Sequence, residues 1–257
     1  MAEGFASETD RDDLRRQLCD YLRLLELSGV EEIVMPEASP VSGIEAGEAP
    51  DRGSDSPVDG AGGIEILRQE AEACRACYLH KGRTTVVFGE GNPSGRLMFI
   101  GEGPGADEDR DGRPFVGRAG MLLTKIIEAM GLAREEVYIA NVVKCRPPGN
   151  RTPEPDEIAS CLPYLEKQID LVGPEAICTL GNVATHAVTG ELRPISEMRW
   201  KTYEYRGIKV FPTYHPAACL RNPESKKLVW EDVKKVMKLL NLPIRGVKRN
   251  GPGTNGN

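Results

Sequence analysis

The sequence predicts an α/β protein, a three-layer α/β/α sandwich built around a central parallel sheet. From residue 97 onward, short apolar runs rich in β-branched residues alternate with longer segments of helical periodicity. The short runs are almost continuously apolar, which is typical of parallel strands covered on both faces. With 257 residues, 40% of them hydrophobic, the chain is long enough to bury one sizeable core.

Four strands and four helices are predicted along this part of the chain. The strands are expected at residues 97–100, 137–143, 176–180 and 208–211. The helices are expected at residues 119–130, 155–171, 182–188 and 225–240. Because ligands of open parallel sheets collect at the carboxyl ends of the strands, a functional site is expected just after these strands.

The chain is expected to contain one domain with flanking extensions. The predicted parts are an amphipathic helical segment at 1–35, an acidic disordered linker at 36–63, a domain at 64–242 and a flexible tail at 243–257. Residues 1–63 hold 5 Arg and 15 Asp+Glu, a net charge of 5 − 15 = −10, which leaves +4 on the remainder. The amphipathic helix either docks on a partner protein or packs on the body, and its pattern fits both alternatives.

Composition narrows the class of protein and its surroundings. No apolar stretch approaches the length of about 18 residues expected of a membrane span, and the acidic start does not resemble a signal peptide. We therefore expect a cytoplasmic protein with no membrane partner, and a monomer by default. The mildly basic body leaves nucleic acid open as a partner.

Cysteine spacing predicts a metal centre. The chain has seven cysteines, an odd number that argues against a disulfide framework in a cytoplasmic protein. Cys74 and Cys77 form a C-x2-C pair, and Cys145 and Cys161 flank a proline-rich loop that a metal would fix in place. Four thiolates suit either zinc or an iron–sulfur cluster, and spacing alone favours neither. Unliganded thiols are the remaining alternative. Cys178, within an apolar run, is expected to be a buried small hydrophobe.

A glycine-rich loop, GEGPGADEDRDGRPFVGRAG, follows the first predicted strand. It lacks the Lys-Ser/Thr pair of a P-loop, and the acidic residues Glu102, Asp107, Glu108 and Asp109 disfavour a bound phosphate. Two interpretations remain for these carboxylates: a solvated acidic turn, or recognition of a cationic or oxocarbenium-like centre. Phe115, in the same loop, is either core filler or a platform for stacking.

The segment after the last predicted strand reads VFPTYHPAACLRNP. It places His215 just past the strand, with Pro216 set to begin a turn or helix. Leu220, Arg221 and Asn222 then combine an apolar wedge with hydrogen-bond donors, a group suited to DNA. His215 is therefore a candidate for catalysis, although a lone histidine at such a position also serves structural roles.

The motifs in combination resemble those of the iron–sulfur (family 4) uracil-DNA glycosylases. C-x2-C, the glycine-rich loop, NVVKCRPPGNRTP and TYHPAACLRNP occur in the same order, and the resemblance covers about residues 65–241. It implies the uracil-DNA glycosylase fold and a DNA-repair enzyme that flips uracil out of single- or double-stranded DNA. The enzyme would hydrolyse the N-glycosidic bond and leave an abasic site, without cutting the strand.

The resemblance also implies a cofactor and a set of site residues. The 4Fe–4S cluster ligands would be Cys74, Cys77, Cys145 and Cys161. The uracil-binding residues would be Glu102, Gly103, Glu108, Phe115, Asn141 and His215, and the DNA-binding residues would be Leu220, Arg221 and Asn222. Glu102 and His215 would be the catalytic residues, although Gly103 stands where a better-known glycosylase family carries a water-positioning aspartate.

The resemblance further assigns a role to each uracil-binding side chain. Phe115 would stack on the flipped base, Asn141 would donate to uracil O4 and accept from N3–H, and His215 would hydrogen-bond O2. Glu102 would position water or stabilise the cationic sugar, and Glu108 would close the C5 side against the methyl group of thymine.

Two other functions remain open at the level of sequence. One is a cluster-bearing DNA-binding or replication accessory module with weak or no catalysis, docked through the N-terminal helix. The other is a glycosylase acting on a different deaminated base. Release of a free base from DNA would separate the enzyme from the binding module.

Overall fold

The computed structural model describes residues 60–244. The predicted amphipathic helix and the predictions for residues up to 59 and beyond 244 lie outside the described residues. Within residues 60–244, no helix is both long enough and apolar enough to cross a bilayer.

A six-stranded sheet forms the middle of the structure. Its strands are β1 (Glu90–Gly91), β2 (Leu97–Gly101), β3 (Tyr138–Asn141), β4 (Ala176–Leu180), β5 (Tyr203–Tyr205) and β6 (Ile208–Thr213). They lie in the order β1-β3-β2-β4-β6-β5. The four inner strands are parallel, as predicted, whereas β1 and β5 are short antiparallel strands at the two edges.

Eight α-helices connect or follow these strands in the described residues. They are α1 (Gly60–Glu72), α2 (Ala106–Asp111), α3 (Arg118–Ala129), α4 (Pro155–Val172), α5 (Asn182–Thr189), α6 (Ile195–Met198), α7 (Pro216–Arg221) and α8 (Ser225–Leu239). Short 3-10 helices occupy Tyr78–Lys81, Arg134–Glu136 and Pro148–Asn150. Helix α1 begins four residues before the predicted start of the domain at Ile64.

Hydrophobic side chains on the two faces of the sheet build two separate cores. On β2, Met98 and Ile100 pack with α1, α4 and α5, whereas Leu97 and Phe99 pack with α3 and α8. This alternation follows from the two-residue period of a strand, which sends successive side chains to opposite faces. The predicted three-layer α/β/α sandwich is therefore confirmed.

Strand β3 differs from its predicted extent. The apolar run was expected to form a strand through residue 143, but the strand ends at Asn141. The N–H groups of Val142 and Val143 still bond backbone carbonyls, those of Gly101 and Glu102, at 2.9 and 3.1 Å. These two residues therefore pack past the end of β2 rather than within the sheet, and Asn141 becomes the last residue of the strand.

A buried ion pair ties α8 to the end of β6. Arg199 donates through Nε to Asp232 at 2.9 Å, and both side chains are only 1% exposed. The Thr213 hydroxyl donates to the same carboxylate at 2.9 Å. Since Thr213 ends β6, this network fixes the point at which the chain leaves the sheet.

We predict that Asp232→Ala lowers the free energy of unfolding by about 3–5 kcal/mol, because it leaves the Arg199 guanidinium buried without a counter-charge. Urea denaturation would measure the loss. The control is Glu204→Ala, which removes an exposed partner of Lys209 and should cost at most about 1 kcal/mol. Equal losses in the two variants would contradict the prediction that the buried ion pair stabilises the fold more than the exposed one.

Candidate active site

A cavity of about 650 Å³ opens at the carboxyl edge of the parallel strands. The residues that line it include Glu102, Gly103, Glu108, Phe115, Asn141, Thr152, His215 and Arg221. All six residues expected to bind uracil are among them, although they come from β3 and from the segments that follow β2 and β6. Of the predicted DNA-binding residues, Arg221 lines the cavity, and Leu220 and Asn222 are its neighbours at the end of α7.

Asn141 carries an unusual polar atom at the end of β3. Its side chain is only 2% exposed, and its amide oxygen Oδ1 is buried without a hydrogen-bond partner. Buried polar atoms are nearly always paired, since an unpaired one costs about 1–3 kcal/mol. A side chain in this state on the wall of a cavity is suited to bind a ligand.

Gly101 allows two site residues to approach each other. A Cβ atom at Gly101 would overlap both the amide oxygen of Asn141 and the edge of the Phe115 ring. Only glycine therefore lets the ring and the amide lie side by side over the end of β2. The sequence reasoning missed Gly101, and its place as the last residue of an apolar strand is the signal that could have found it.

Phe115 adopts a backbone conformation that is unfavourable for a residue with a side chain. Its φ angle is +52°, in the left-handed region. The carboxylate of Glu108 holds this loop by accepting N–H groups from Val116 at 3.0 Å, Gly117 at 2.9 Å and Gly105 at 3.1 Å. The ring of Phe115 is buried, and its centroid lies 5.6 Å from that of His215. Glu108 thus positions the aromatic wall of the cavity.

The acidic residues of this loop have different environments. Asp107 is exposed and pairs with Arg110, which fits the interpretation of a solvated turn. That interpretation is wrong for Asp109, which is buried and accepts the N–H and hydroxyl of Thr84 at 2.9 and 2.8 Å. Asp109 therefore anchors α2 to the segment before β1 and lies outside the residues that line the cavity.

His215 is held in one tautomer by its own helix. It caps α7, and its Nδ1 accepts the N–H of Ala217 at 3.1 Å. Burial, assisted by the charge of Arg221, lowers the pKa of His215 from 6.5 to about 4. The imidazole is therefore neutral at pH 7, and because Nδ1 is an acceptor, its proton lies on Nε2. His215 can donate one hydrogen bond from Nε2 to a ligand.

Glu102 and Gly103 directly follow β2 and line the cavity. Burial raises the pKa of the Glu102 carboxyl above its usual value, and a hydrogen bond with the Thr152 hydroxyl opposes that rise. A Cβ atom at Gly103 would lie 2.7 Å from the side chain of Val143. Close packing therefore accounts for the glycine at a position where another glycosylase family carries an aspartate, and Glu102 is left as the carboxylate beside it.

The four cysteines Cys74, Cys77, Cys145 and Cys161 line a second, smaller cavity. Cys74 and Cys77 follow α1, Cys145 follows β3 and Cys161 belongs to α4. No group of three His, Cys, Asp or Glu side chains among residues 60–244 is arranged to hold a single metal ion. Iron–sulfur clusters are held by four cysteine thiolates, and the lining of this cavity would supply four.

The surroundings of the cysteines provide donors for sulfur. The N–H of Lys144 points to Cys161 Sγ at 3.3 Å, Arg83 to Cys145 Sγ at 3.3 Å, and the N–H of Ala76 to Cys74 Sγ at 3.5 Å. Burial raises the pKa of the Cys161 thiol to about 11. A cationic centre would be needed to hold this residue as a thiolate at neutral pH, and N–H···S contacts would stabilise it further.

Lys144 connects the two cavities. It is fully buried, donates from Nζ to the backbone carbonyl of Asn141 at 2.7 Å and also donates to the Gln168 side chain. Gln168 lies on α4, the helix that carries Cys161, and donates to the Phe88 carbonyl at 3.0 Å. Sequence reasoning missed Lys144 and Gln168, and a lysine within the otherwise apolar run NVVKC is the signal that was available.

We predict that Lys144→Met destabilises the protein and weakens activity together. The variant leaves the Asn141 carbonyl and the Gln168 side-chain oxygen buried without their donor, at about 1–3 kcal/mol each. Urea denaturation and single-turnover kinetics would measure the two losses. Lys167→Met, which removes an exposed lysine next to Gln168 on α4, is the control, and an equal effect in both variants would contradict the role of Lys144.

Comparison with known proteins agrees with the fold and the cavity. Residues 88–234 match the model of the uracil DNA glycosylase superfamily. The chain therefore belongs to the uracil-DNA glycosylase superfamily, and its α/β/α sandwich with a cavity at the carboxyl ends of the strands agrees with that class.

Relatives place the chain more narrowly. It is 48% identical to the type-4 uracil-DNA glycosylase of Sulfurisphaera tokodaii, across 71% of this chain and 87% of that protein. It is 49% identical to the type-4 enzyme of Thermotoga maritima, across 67% and 92% of the two chains. The type-4 enzyme of Archaeoglobus fulgidus is 43% identical, across 68% and 92%. Within the superfamily, this protein is a member of the type-4 family.

Proposed function

We propose that this protein is a DNA-repair glycosylase that removes uracil from single- and double-stranded DNA. The unpaired Oδ1 of Asn141, in a cavity walled by Phe115 and His215, is the observation that carries the proposal. Water adds its oxygen to C1′ of the sugar as the bond from C1′ to uracil N1 breaks. The bonding electrons leave with uracil, a proton from water completes the free base, and an abasic site remains.

Base selection rests on the Asn141 amide. Its nitrogen donates to uracil O4, and its oxygen accepts from N3–H, which supplies the missing partner of the buried Oδ1. Cytosine presents a donor at position 4 and an acceptor at N3, so both contacts become mismatches. Sites that leave buried polar groups unpaired reject the wrong ligand by factors of about 10⁴. Glu108, held by three backbone N–H groups, closes the C5 side against the methyl group of thymine.

Leaving-group stabilisation is the role of His215. As the glycosidic bond stretches, negative charge gathers on uracil O2 and positive charge on the sugar. The Nε2–H of neutral His215 donates to O2, while the carboxylate of Glu102 positions water or stabilises the cationic sugar. Phe115 stacks on the flipped base and keeps it between these two groups.

Cys74, Cys77, Cys145 and Cys161 would hold a 4Fe–4S cluster. Such a cluster, when bound, supplies a structural link between the segments that carry the four thiolates rather than a step of the hydrolysis. The four cysteines lining one cavity and the N–H···S contacts around them support this assignment.

The end of α7 would bind the DNA. Leu220 is 37% exposed and would fill the gap left by the flipped nucleotide, with Arg221 and Asn222 on the backbone. No lysine lines the described cavity, so no amine is placed to attack C1′ and cut the strand. A cytoplasmic location, a monomeric state and a protein partner for the N-terminal segment remain predictions.

An oligonucleotide with a single uracil tests the proposal directly. The purified protein should render the labelled strand cleavable by alkali, while thymine and cytosine strands stay intact. Cleavage without alkali would contradict the monofunctional mechanism. No cleavage by protein with an intact cluster spectrum would favour the accessory DNA-binding module, and cleavage at hypoxanthine or xanthine alone would indicate another deaminated base.

We predict that Asn141→Asp slows uracil excision by at least about 100-fold and narrows the preference for uracil over cytosine. The carboxylate keeps the size of the amide but loses the donor to O4. Single-turnover rates on the two bases would measure both effects. Asn92→Asp makes the same change in a turn at the opposite edge of the sheet, where Oδ1 accepts the N–H of Ser94, and should leave the rates unchanged.

We predict that the excision rate falls as the pH drops through the raised pKa of Glu102, because protonation removes the carboxylate. His215, with a pKa of about 4, stays neutral above that pH and adds no step near 6.5. Glu102→Gln should lower the rate by about 10²–10⁴-fold and flatten the profile. Single-turnover rates between pH 5 and 8 would measure this, and a step near 6.5 that survives in Glu102→Gln would contradict the assignment.

A further inference from the structure

Trp200 is an exposed aromatic side chain outside the cavity. It lies in the loop between α6 and β5, and 66% of its surface is exposed. Tryptophan is usually well covered in folded proteins, so a large exposed indole indicates an interaction surface. Two cations lie against the ring, the Arg199 guanidinium at 4.3 Å and the Lys235 ammonium at 5.9 Å from its centroid.

The backbone under this indole is fixed by buried contacts. Arg199, the preceding residue, is anchored to Asp232 and donates to the Leu228 carbonyl at 2.8 Å. Lys235 donates to the carbonyl of Arg199 at 2.8 Å. The ring is therefore presented from a rigid base, and little conformational entropy is lost when a partner covers it.

One guanidinium links Trp200 to the segment that carries the site. The Arg199 guanidinium lies 4.3 Å from the ring centroid of Trp200 and 5.6 Å from that of Tyr214. Tyr214 directly precedes His215, which caps α7 and lines the cavity. The Trp200 indole therefore lies close to the segment that delivers His215.

The charged residues near Trp200 are suited to bind a polyanion. Lys201 follows Trp200 and is exposed, Arg221 lines the base cavity, and Lys226 and Lys227 are exposed at the start of α8. Two exposed carboxylates lie among these residues, Glu197 on α6 and Glu224, which pairs with Lys227 at 3.4 Å. Exposed aromatics combined with lysine and arginine are the usual means of binding single-stranded nucleic acid, because bases stack on the ring and phosphates pair with the cations.

We propose that Trp200 stacks on a base of the DNA strand next to the flipped nucleotide, with Lys201 contacting the adjoining phosphate. The proposal rests on the proposed function, because it takes the position of the flipped base from the cavity at His215. It extends the DNA surface from α7 across β6 to the loop before β5.

Fluorescence tests this contact without catalysis. The chain has two tryptophans, so Trp230→Phe leaves Trp200 as the sole indole. Titration with a uracil-free single-stranded oligonucleotide should quench its emission saturably, with the same Kd as anisotropy of the labelled DNA. Emission that is unchanged while anisotropy reports binding would overturn the proposal. A blue shift that depends on protein concentration without DNA would assign the indole to an interface between copies instead.

Variants at position 200 test how much the indole contributes to DNA affinity. Trp200→Ala should raise the Kd for the oligonucleotide by about 5- to 100-fold, and Trp200→Tyr should restore most of the affinity. Ile66→Ala, which truncates another exposed apolar side chain (54% exposed, on α1), is the control and should bind normally. Equal binding by Trp200→Ala and the parent protein would overturn the proposal, provided that both melt at the same temperature.

The two proposals fail in distinguishable ways. Trp200→Ala should slow uracil release mainly at enzyme concentrations below its raised Kd, because the indole would stack on a neighbouring base and would not contact the flipped uracil. If the parent protein releases no uracil but DNA still quenches Trp200, the proposed function fails and the stacking contact stands. If uracil is released normally and quenching is absent, only the stacking contact fails.

Discussion

The hydrogen bonds of one buried lysine hold the functional part of this molecule together. Lys144 donates its ammonium protons to the end of β3 and to α4, and its own N–H points to a cysteine of the second cavity. An ammonium group cannot be buried cheaply unless each proton finds an acceptor. The position of Asn141 therefore depends on α4 being in place, and α4 in turn carries one of the four thiols. Asn141, the proposed base-recognition residue, and Cys161, a proposed cluster ligand, therefore share this support.

Much of the fold could be predicted because its strands are buried on both faces. The apolar runs of β2 and β4, buried along their whole length, need no partner to be recognised, and the helices between the strands show a clear period. The edge strands β1 and β5, of two and three residues, are too short to carry a periodic signal. The extent of β3 was wrong by two residues, because Val142 and Val143 are apolar for packing beyond the end of β2.

The residues that line the cavity could be predicted from the sequence, whereas the residues that hold them in position could not. Resemblance of whole motifs identified Asn141, Phe115 and His215, and the structure brings them to one cavity. Residues that act through contacts distant in sequence could not be found in this way. Gln168 meets Lys144 across 24 residues, and Asp109 meets Thr84 across 25. Glu108 could be identified as important, but its three backbone partners depend on how the loop folds back on itself.

The capping of α7 by His215 has a consequence for which anions the pocket attracts, and for the stage of the reaction at which it attracts them. A protonated imidazole would attract any anion, including the phosphates that outnumber uracil along a DNA strand. The neutral ring, locked by the N–H of Ala217, presents only a dipole. In the proposed complex, its attraction for uracil O2 would be modest while the base is intact and would grow as electrons move onto that oxygen. Through His215 the pocket would therefore bind intact DNA weakly and would stabilise mainly a glycosidic bond that has begun to break.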